Sequence, residues 1–297
     1  MTKFCQTKSL RRNKRAVTPA LSSIILTCAV IIMVMVALFF SNNYLQTTLS
    51  QNEYKANKQF MLTEGLQIDD VAWTLGRTQT SIFSSRYGTV SFEPEAITYT
   101  FEVKSGGTWE TIGNYTSGIV LFNMPTSIFT LGDGYFERIF PSNGSFLQQG
   151  STAPVSQVFV SQKNSLQRGS GLRVIAAPTV RLLNSKISTI YEQQNYLKFY
   201  LPILTKGDNL YLTQSVTQTG SSILKVARTG ATQIRVNATI PITAQAIGYD
   251  LGDLNSTSSF FRFESQSVTY PSTGLLPTPS TVELYIANVT ISIGLAT

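Results

Sequence analysis

Ser222-Ile223-Leu224-Lys225 has the Ser-x-x-Lys spacing of serine acyl-enzymes, in which one helical turn brings the lysine to the hydroxyl it activates. The stretch reads as a strand, so that chemistry is not expected of it. Asp69-Asp70 and Glu93-Pro94-Glu95 pair carboxylates as an acid/base couple would. The first pair falls on the polar side of a helical pattern and the second flanks a turn, so both read as solvated surface. Asp208, Asp250 and Asp253 sit in turn-like stretches that offer oxygens to a calcium ion, but their spacing matches no calcium loop. Leu131-Gly132-Asp133-Gly134 reads as a turn rather than a phosphate cradle. The chain has no histidine, and its two cysteines are Cys5 and Cys28. Ser-His-Asp and Cys-His catalysis, His-ligated metals and a disulfide-stapled domain beyond residue 28 are therefore excluded. The expectation is a non-enzyme, with no catalytic, cofactor or metal residues.

The elements that must carry these residues are set by Ala20–Phe40, a mostly apolar block of 21 residues without a charge. At about 1.5 Å per helical residue it covers a hydrocarbon core of roughly 30 Å. Lys3, Lys8, Arg11, Arg12, Lys14 and Arg15 precede it and no acid does, which predicts a cytoplasmic N-terminus and an extracellular remainder, a single-pass protein of the cell membrane. A cleavable secretory signal would be shorter and end in small residues, whereas this block ends in Phe39-Phe40-Ser41-Asn42. Thr18 suits an N-cap and Pro19 a first helical turn, so a helix is expected to start near Thr18, with exposed chain before it.

The junction Lys14-Arg15-Ala16-Val17-Thr18-Pro19-Ala20-Leu21-Ser22-Ser23-Ile24-Ile25 resembles the N-terminus of archaeal type IV pilin-like proteins and archaellins. In that family a prepilin-type signal peptidase removes a short basic leader (a class III signal peptide) just before the hydrophobic helix. The resemblance covers about the first 45 residues and implies a cut between Ala16 and Val17, with Lys14 and Arg15 as its recognition pair. It also implies an assembly helix, with Pro19, Leu21, Ile24, Ile25, Val30, Ile31, Val34 and Leu38 packing against like subunits in a surface filament. Leu21 stands where many bacterial pilins carry a glutamate, which archaeal versions with a Ser/Thr-Pro near the start often lack too. An uncleaved anchor bearing a monomeric surface-binding or adhesion domain is the rival reading, and an anchored extracellular enzyme the second.

The net charge of +7 does not indicate nucleic-acid binding. Six of the 23 Lys and Arg lie in residues 1–16, so the rest of the chain has 17 against 16 acids. From Ser41 to Gly76 there is no proline, and Leu45, Leu49, Phe60, Leu62, Leu66, Ile68, Val71, Trp73 and Leu75 recur at spacings near three and four, the pattern of an amphipathic helix continuing the membrane segment. The alternative is two helices with a break at Ser41–Tyr44. Beyond Gly76 the period turns to two. Thr89–Phe92, Ile97–Val103 and Thr108–Ile112 alternate, with hairpins at Lys104-Ser105-Gly106-Gly107 and Ala227-Arg228-Thr229-Gly230-Ala231.

The expected fold is α+β. It has a leader over 1–16, a membrane and assembly helix over 17–40 and an amphipathic helix over 41–80. A β-rich, antiparallel, sandwich-like extracellular head then fills 81–297, with a split near 161–171. Asn114, Asn143, Asn237, Asn255 and Asn288 are N-glycosylation acceptors by motif, close to the number that chance gives in so Ser/Thr-rich a chain. Expected partners are the membrane, the peptidase and like pilin subunits, with no nucleic acid and an unassigned surface ligand.

Overall fold

The computed structural model describes residues 14–142, 145–163, 171–188, 193–208, 213–239, 267–276 and 280–294. It forms two units, Met1–Leu49 and Ser50–Thr297, and the boundary falls inside a single helix, α1 (Lys14–Ala72). No break appears at Ser41–Tyr44. The helix stops at Ala72, short of the expected residue 80, because Leu75-Gly76 turns the chain, with Gly76 at a φ of 75° that glycine adopts without a steric penalty.

In the first unit the described residues are helical from Lys14, four residues before the expected start. Pro19 is therefore the sixth helical residue rather than an opening one, and it has no N–H for the carbonyl of Arg15. Hydroxyls along this stretch are satisfied locally: Thr27 donates to the carbonyls of Ser23 and Ile24, Thr47 to Asn43 and Thr48 to Tyr44. That is the arrangement a hydroxyl needs where water is absent.

The second unit is mostly β, with the Ser50–Ala72 end of α1 as its only helix among the described residues, so the α+β expectation is corrected to a helix and a β-rich domain. Its strands are β1 (Thr78–Ile82), β2 (Thr89–Ser105), β3 (Thr108–Pro125), β4 (Phe136–Phe140), β5 (Leu147–Gln149), β6 (Ser156–Lys163) and β7 (Gly171–Pro178). They continue with β8 (Val180–Ser188), β9 (Gln193–Lys206), β10 (Ser215–Thr229), β11 (Gln233–Thr239), β12 (Ser267–Tyr270) and β13 (Ser280–Gly294). Two sheets result, in the orders β1-β10-β13-β9-β8-β5 and β12-β11-β2-β3-β7-β6-β4.

Four expectations change here. The sheets are not wholly antiparallel, since β13 runs parallel to β9 and β5 parallel to β8. The chain leaves β10 for β11 and β12 of the other sheet before returning as β13, and only such a long crossover allows parallel neighbours. For the same reason 227–231 is no hairpin: β10 pairs with β13 and β11 with β2, so the turn at Gly230 (φ 78°) passes the chain between sheets. The segment 161–171 does not divide the domain, because β6 and β7 on either side of it pair from Ser156↔Pro178 to Lys163↔Gly171. Finally, Thr89–Phe92 and Ile97–Val103, which read as separate stretches, belong to one long strand carrying a bulge. Register shifts at Glu93/Ile97 in β2, where Glu95 has a φ of 55°, and at Gly220/Ser222 in β10. The hairpin at 104–107 forms as expected, with Gly106 and Gly107 at φ 59° and 92°.

Alternation along the strands explains two cores. Tyr99, Phe101, Ile119, Leu121, Phe159 and Ile175 face Phe199, Leu201, Leu284 and Ile286 across the two sheets. Their sequence neighbours Val120, Phe122, Val158, Val160, Val174 and Ala176 point the other way, into a second cluster with Tyr54, Met61, Ile68 and Val71 of the helix. Runs such as Ile119–Phe122 and Val158–Val160 are thus continuously apolar because both faces are covered. Rows also cross the six-stranded sheet. Arg181, Tyr200, Tyr285 and Lys225 are successive register partners, with the two tyrosine rings stacked at 4.9 Å and Lys225 5.3 Å from the Tyr285 centroid.

Two glycines set the closeness of helix and sheet. A Cβ on Gly65 would lie 2.5 Å from Val158 Cγ2, and one on Gly220 would lie 2.4 Å from the Val71 carbonyl oxygen. Backbone yields less than a side chain, so Gly220→Ala is expected to cost about 2 kcal/mol in chemical denaturation. An unchanged midpoint would refute that reading of the bulge.

Candidate membrane segment and docking seam

In the first unit the large apolar side chains from Leu21 to Phe40 all face outward, with Leu21 at 54% exposure and Phe40 at 66%. Among the assembly positions, Leu21, Ile24, Ile25, Val30, Ile31, Val34 and Leu38 are equally open, and no turn of this stretch presents a polar face wide enough to suit water. Its mean hydropathy reaches 2.9, long and apolar enough for a membrane span; a signal sequence near an N-terminus meets the same criterion. Lys14, Arg15, Ala16, Val17 and Pro19 lie on the helical backbone.

In the second unit the buried face of α1 differs from the expected stripe. Leu66 and Leu75 are 49% and 63% exposed, as Leu45 and Leu49 are in the first unit. The buried residues form two rows seven apart: Tyr54, Met61 and Ile68 in one, Ser50, Asn57, Glu64 and Val71 in the other. One row is apolar and the other largely polar, and each polar member finds a partner on the β domain. Ser50 Oγ donates to the Ile128 carbonyl at 3.5 Å and Asn57 Nδ2 to the Ser84 carbonyl at 3.4 Å. Gln218 Nε2 donates to Glu64 Oε2 at 2.7 Å and to the Glu64 carbonyl at 3.0 Å. Ser156 Oγ donates to the Gly65 carbonyl at 2.5 Å.

Charged contacts flank the seam. Glu53 accepts the backbone N–H groups of Tyr87 and Gly88 and the Ser85 hydroxyl, holding the 85–88 turn. Lys58 pairs with Glu137 at 2.6 Å. Burial would raise the Glu137 carboxyl, but hydrogen bonds from Lys58 and Tyr135 outweigh it and hold the group below its ordinary value. Asp69 pairs with Arg181 and accepts from Trp73 Nε1 at 2.8 Å, while Asp70 holds Arg77 and Gln79. The Asp69-Asp70 pair is therefore not simple solvated surface: it ties the end of α1 to the strands.

Two buried carboxylates stand out. Glu64 is fully buried with Oε1 unpartnered, and desolvation raises its pKa to about 7 against the opposing hydrogen bonds of Gln218 and Ser81. Glu93, expected on the surface, is 2% exposed; desolvation raises it to about 7, with the Arg173 charge opposing. The bulge at Pro94-Glu95 turns Glu93 inward and leaves Glu95 outside. No sequence pattern announces the burial of Glu93; for Glu64 the signal available was the seven-residue recurrence of Ser50, Asn57 and Glu64 beside Tyr54, Met61 and Ile68.

The remaining chemical candidates are not brought together. Ser222 and Lys225 lie on β10, where positions three apart point to opposite faces; Asn288 Nδ2 donates to the Ser222 hydroxyl at 2.8 Å, and Lys225 pairs with Glu283 at 2.6 Å. Asp208 is exposed, whereas Asp250 and Asp253 fall outside the described residues. Residues 131–134 form a turn with Gly132 and Gly134 at positive φ. Among the described residues no three His, Cys, Asp or Glu side chains gather as a metal site would. Of the glycosylation acceptors, Asn114 is exposed on β3, Asn237 donates to Glu102 at 2.8 Å, Asn288 is engaged with Ser222, and Asn143 and Asn255 lie outside the described residues. Comparison with protein-family models, curated proteins and solved structures finds no match to this chain.

Proposed function

We propose that the chain is a pilin-like subunit of an archaeal type IV pilus-type surface filament, with an extracellular, sandwich-like head. One observation carries the reading: a charge-free helix, apolar on every side and exposed along its length, follows a cluster of six cations without an acid. Burying such a surface is worth tens of kcal/mol at about 25 cal/mol per Å², so the segment belongs in lipid or in a bundle of like helices. Assembly exchanges the first dry environment for the second. The prepilin-type peptidase would hydrolyse the Ala16–Val17 bond on the cytoplasmic side, removing the cations that hold the helix in place. The size of the head suits a minor or specialised subunit.

The test is intact mass and N-terminal sequencing of the membrane-extracted protein beside an Arg15→Ala, Ala16→Leu double variant. A mature start at Val17, lost in the variant, is expected. A start at Met1 or Thr2 overturns the processing step. It would favour the rival, an uncleaved anchor with a monomeric binding domain, to which one observation already speaks: residues 14–17 are helical rather than extended, as a peptidase substrate would be.

A further inference from the structure

We propose that the seam between α1 and β10 is a proton-binding site: Glu64 sits in the fold as a neutral carboxylic acid and closes a two-bond ring with the Gln218 amide, so that docking of the helix is linked to one proton. Two acceptors carry the argument. Glu64 Oε1 and Gln218 Oε1 are both buried with no hydrogen-bond partner, although the same two side chains already meet through Gln218 Nε2 and Glu64 Oε2 at 2.7 Å. An ionised carboxylate and an amide oxygen only accept, so neither orphan oxygen can satisfy the other unless the carboxyl carries a hydrogen. A proton on Oε1 supplies it. Oε1–H then donates to the Gln218 oxygen while Nε2–H still donates to Oε2, and both orphans are satisfied at once. Inverting the amide does not remove the need, because the Glu64 carbonyl accepts from the same Nε2 at 3.0 Å and would lose that bond.

The surroundings favour the neutral form. The register partners of Gln218 are Gln79 on β1 and Ile291 on β13, neither of them charged. Gln79 gives its Nε2 to Asp70, Ser81 on β1 donates to Gln67, and Ser156 on β6 donates to the Gly65 carbonyl. The charges nearest along the helix are engaged elsewhere: Lys58 with Glu137, Asp69 with Arg181 and Asp70 with Arg77. Among the described residues no cation pairs with Glu64, and desolvation is the largest influence on its raised pKa. Folding at neutral pH therefore takes one proton from water, since the unfolded carboxyl is ionised there. Alkali removes that proton and leaves a buried carboxylate against the Gln218 oxygen, which loosens this turn of the helix from the sheet.

Infrared spectra of the full chain in detergent micelles at pH 6 read the proton directly, because ordinary carboxylates are ionised there. A carboxylic-acid carbonyl band is expected that Glu64→Gln removes and that Gln218→Met moves to higher frequency, the acid having lost its amide partner. Absence of any band that Glu64→Gln removes overturns the proposal. Gln79 Oε1 is the other unpartnered acceptor beside Gln218. A band that Gln79→Met moves and Gln218→Met leaves in place overturns the pairing. Amide hydrogen exchange over residues 57–71, corrected for its intrinsic pH dependence, reads the docking. From pH 6 to pH 9 protection is expected to fall about tenfold more in the parent than in Glu64→Gln, the part of a shift from 4.5 to about 7 that lies in that range. Equal falls overturn the link to docking. Neither readout depends on leader cleavage or filament assembly, so this site and the pilin-like reading fail separately.

Discussion

A fragment starting at Ser50 is expected to be soluble and to unfold cooperatively, while one starting at Trp73 collapses or aggregates. The first cut removes the exposed apolar unit and leaves the Ser50–Thr297 unit whole. The second removes Tyr54, Met61, Ile68 and Val71, all buried, from the cluster that covers β3, β6 and β7. At about 2 kcal/mol for each buried side chain the loss is roughly 8 kcal/mol, within the 5 to 15 kcal/mol that stabilises a typical domain. It also strips the partners from Gln218 and Ser156 and bares Phe122, Val158 and Val174. Size-exclusion chromatography and thermal melts of the two fragments decide the matter. If the fragment from Trp73 melts within a few degrees of the one from Ser50, the helix is an accessory and not part of the core.

Acid should stabilise this domain before it destabilises it. Glu64 has a folded pKa of about 7 against an ordinary value of 4.5, because burial disfavours the carboxylate. A raised folded value means the unfolded chain releases the proton first. The contribution is therefore complete below pH 4.5, shrinks as pH rises toward 7 and is gone above it. The shift corresponds to about 3 kcal/mol. Glu93 acts with the same sign. Glu102, Glu137 and Glu283 oppose them at lower pH, since their folded values are depressed and their contributions vanish as they protonate. Stability should peak near pH 5 and fall by pH 8. Glu64→Gln keeps the shape, so it should raise stability at pH 8 by about 3 kcal/mol and remove roughly half of the slope, the rest belonging to Glu93. Urea titrations at pH 5 and pH 8 measure both, and a variant with the parent slope would show that Glu64 is ionised in the folded protein.

What could be read without coordinates follows from how local the cause is. The apolar block, the alternation in Ile97–Val103 and the Gly106-Gly107 turn depend on neighbours in sequence, and each appears where expected. Glu93-Pro94-Glu95 reads as flanking a turn because it interrupts a strand pattern, yet a bulge absorbs the interruption and lets the pairing resume. Parallel placement of β13 beside β9 depends on a crossover through the other sheet, which no local signal records. The seam was misread for a different reason. An apolar count selected Leu66 and Leu75, whereas the docked face includes Asn57 and Glu64, whose burial is made tolerable by partners more than 25 residues away.

That alternation of oily and hydrogen-bonding rows behaves like the teeth of a rack. Sliding Ser50–Ala72 along its own axis by one turn, about 5.4 Å, would carry the Glu64 carboxyl into the place of Met61 or Ile68 and bring a side chain into the gap that Gly65 leaves against Val158. No intermediate position satisfies both rows, so tension along the helix is met by the whole seam in shear rather than by one contact peeled at a time.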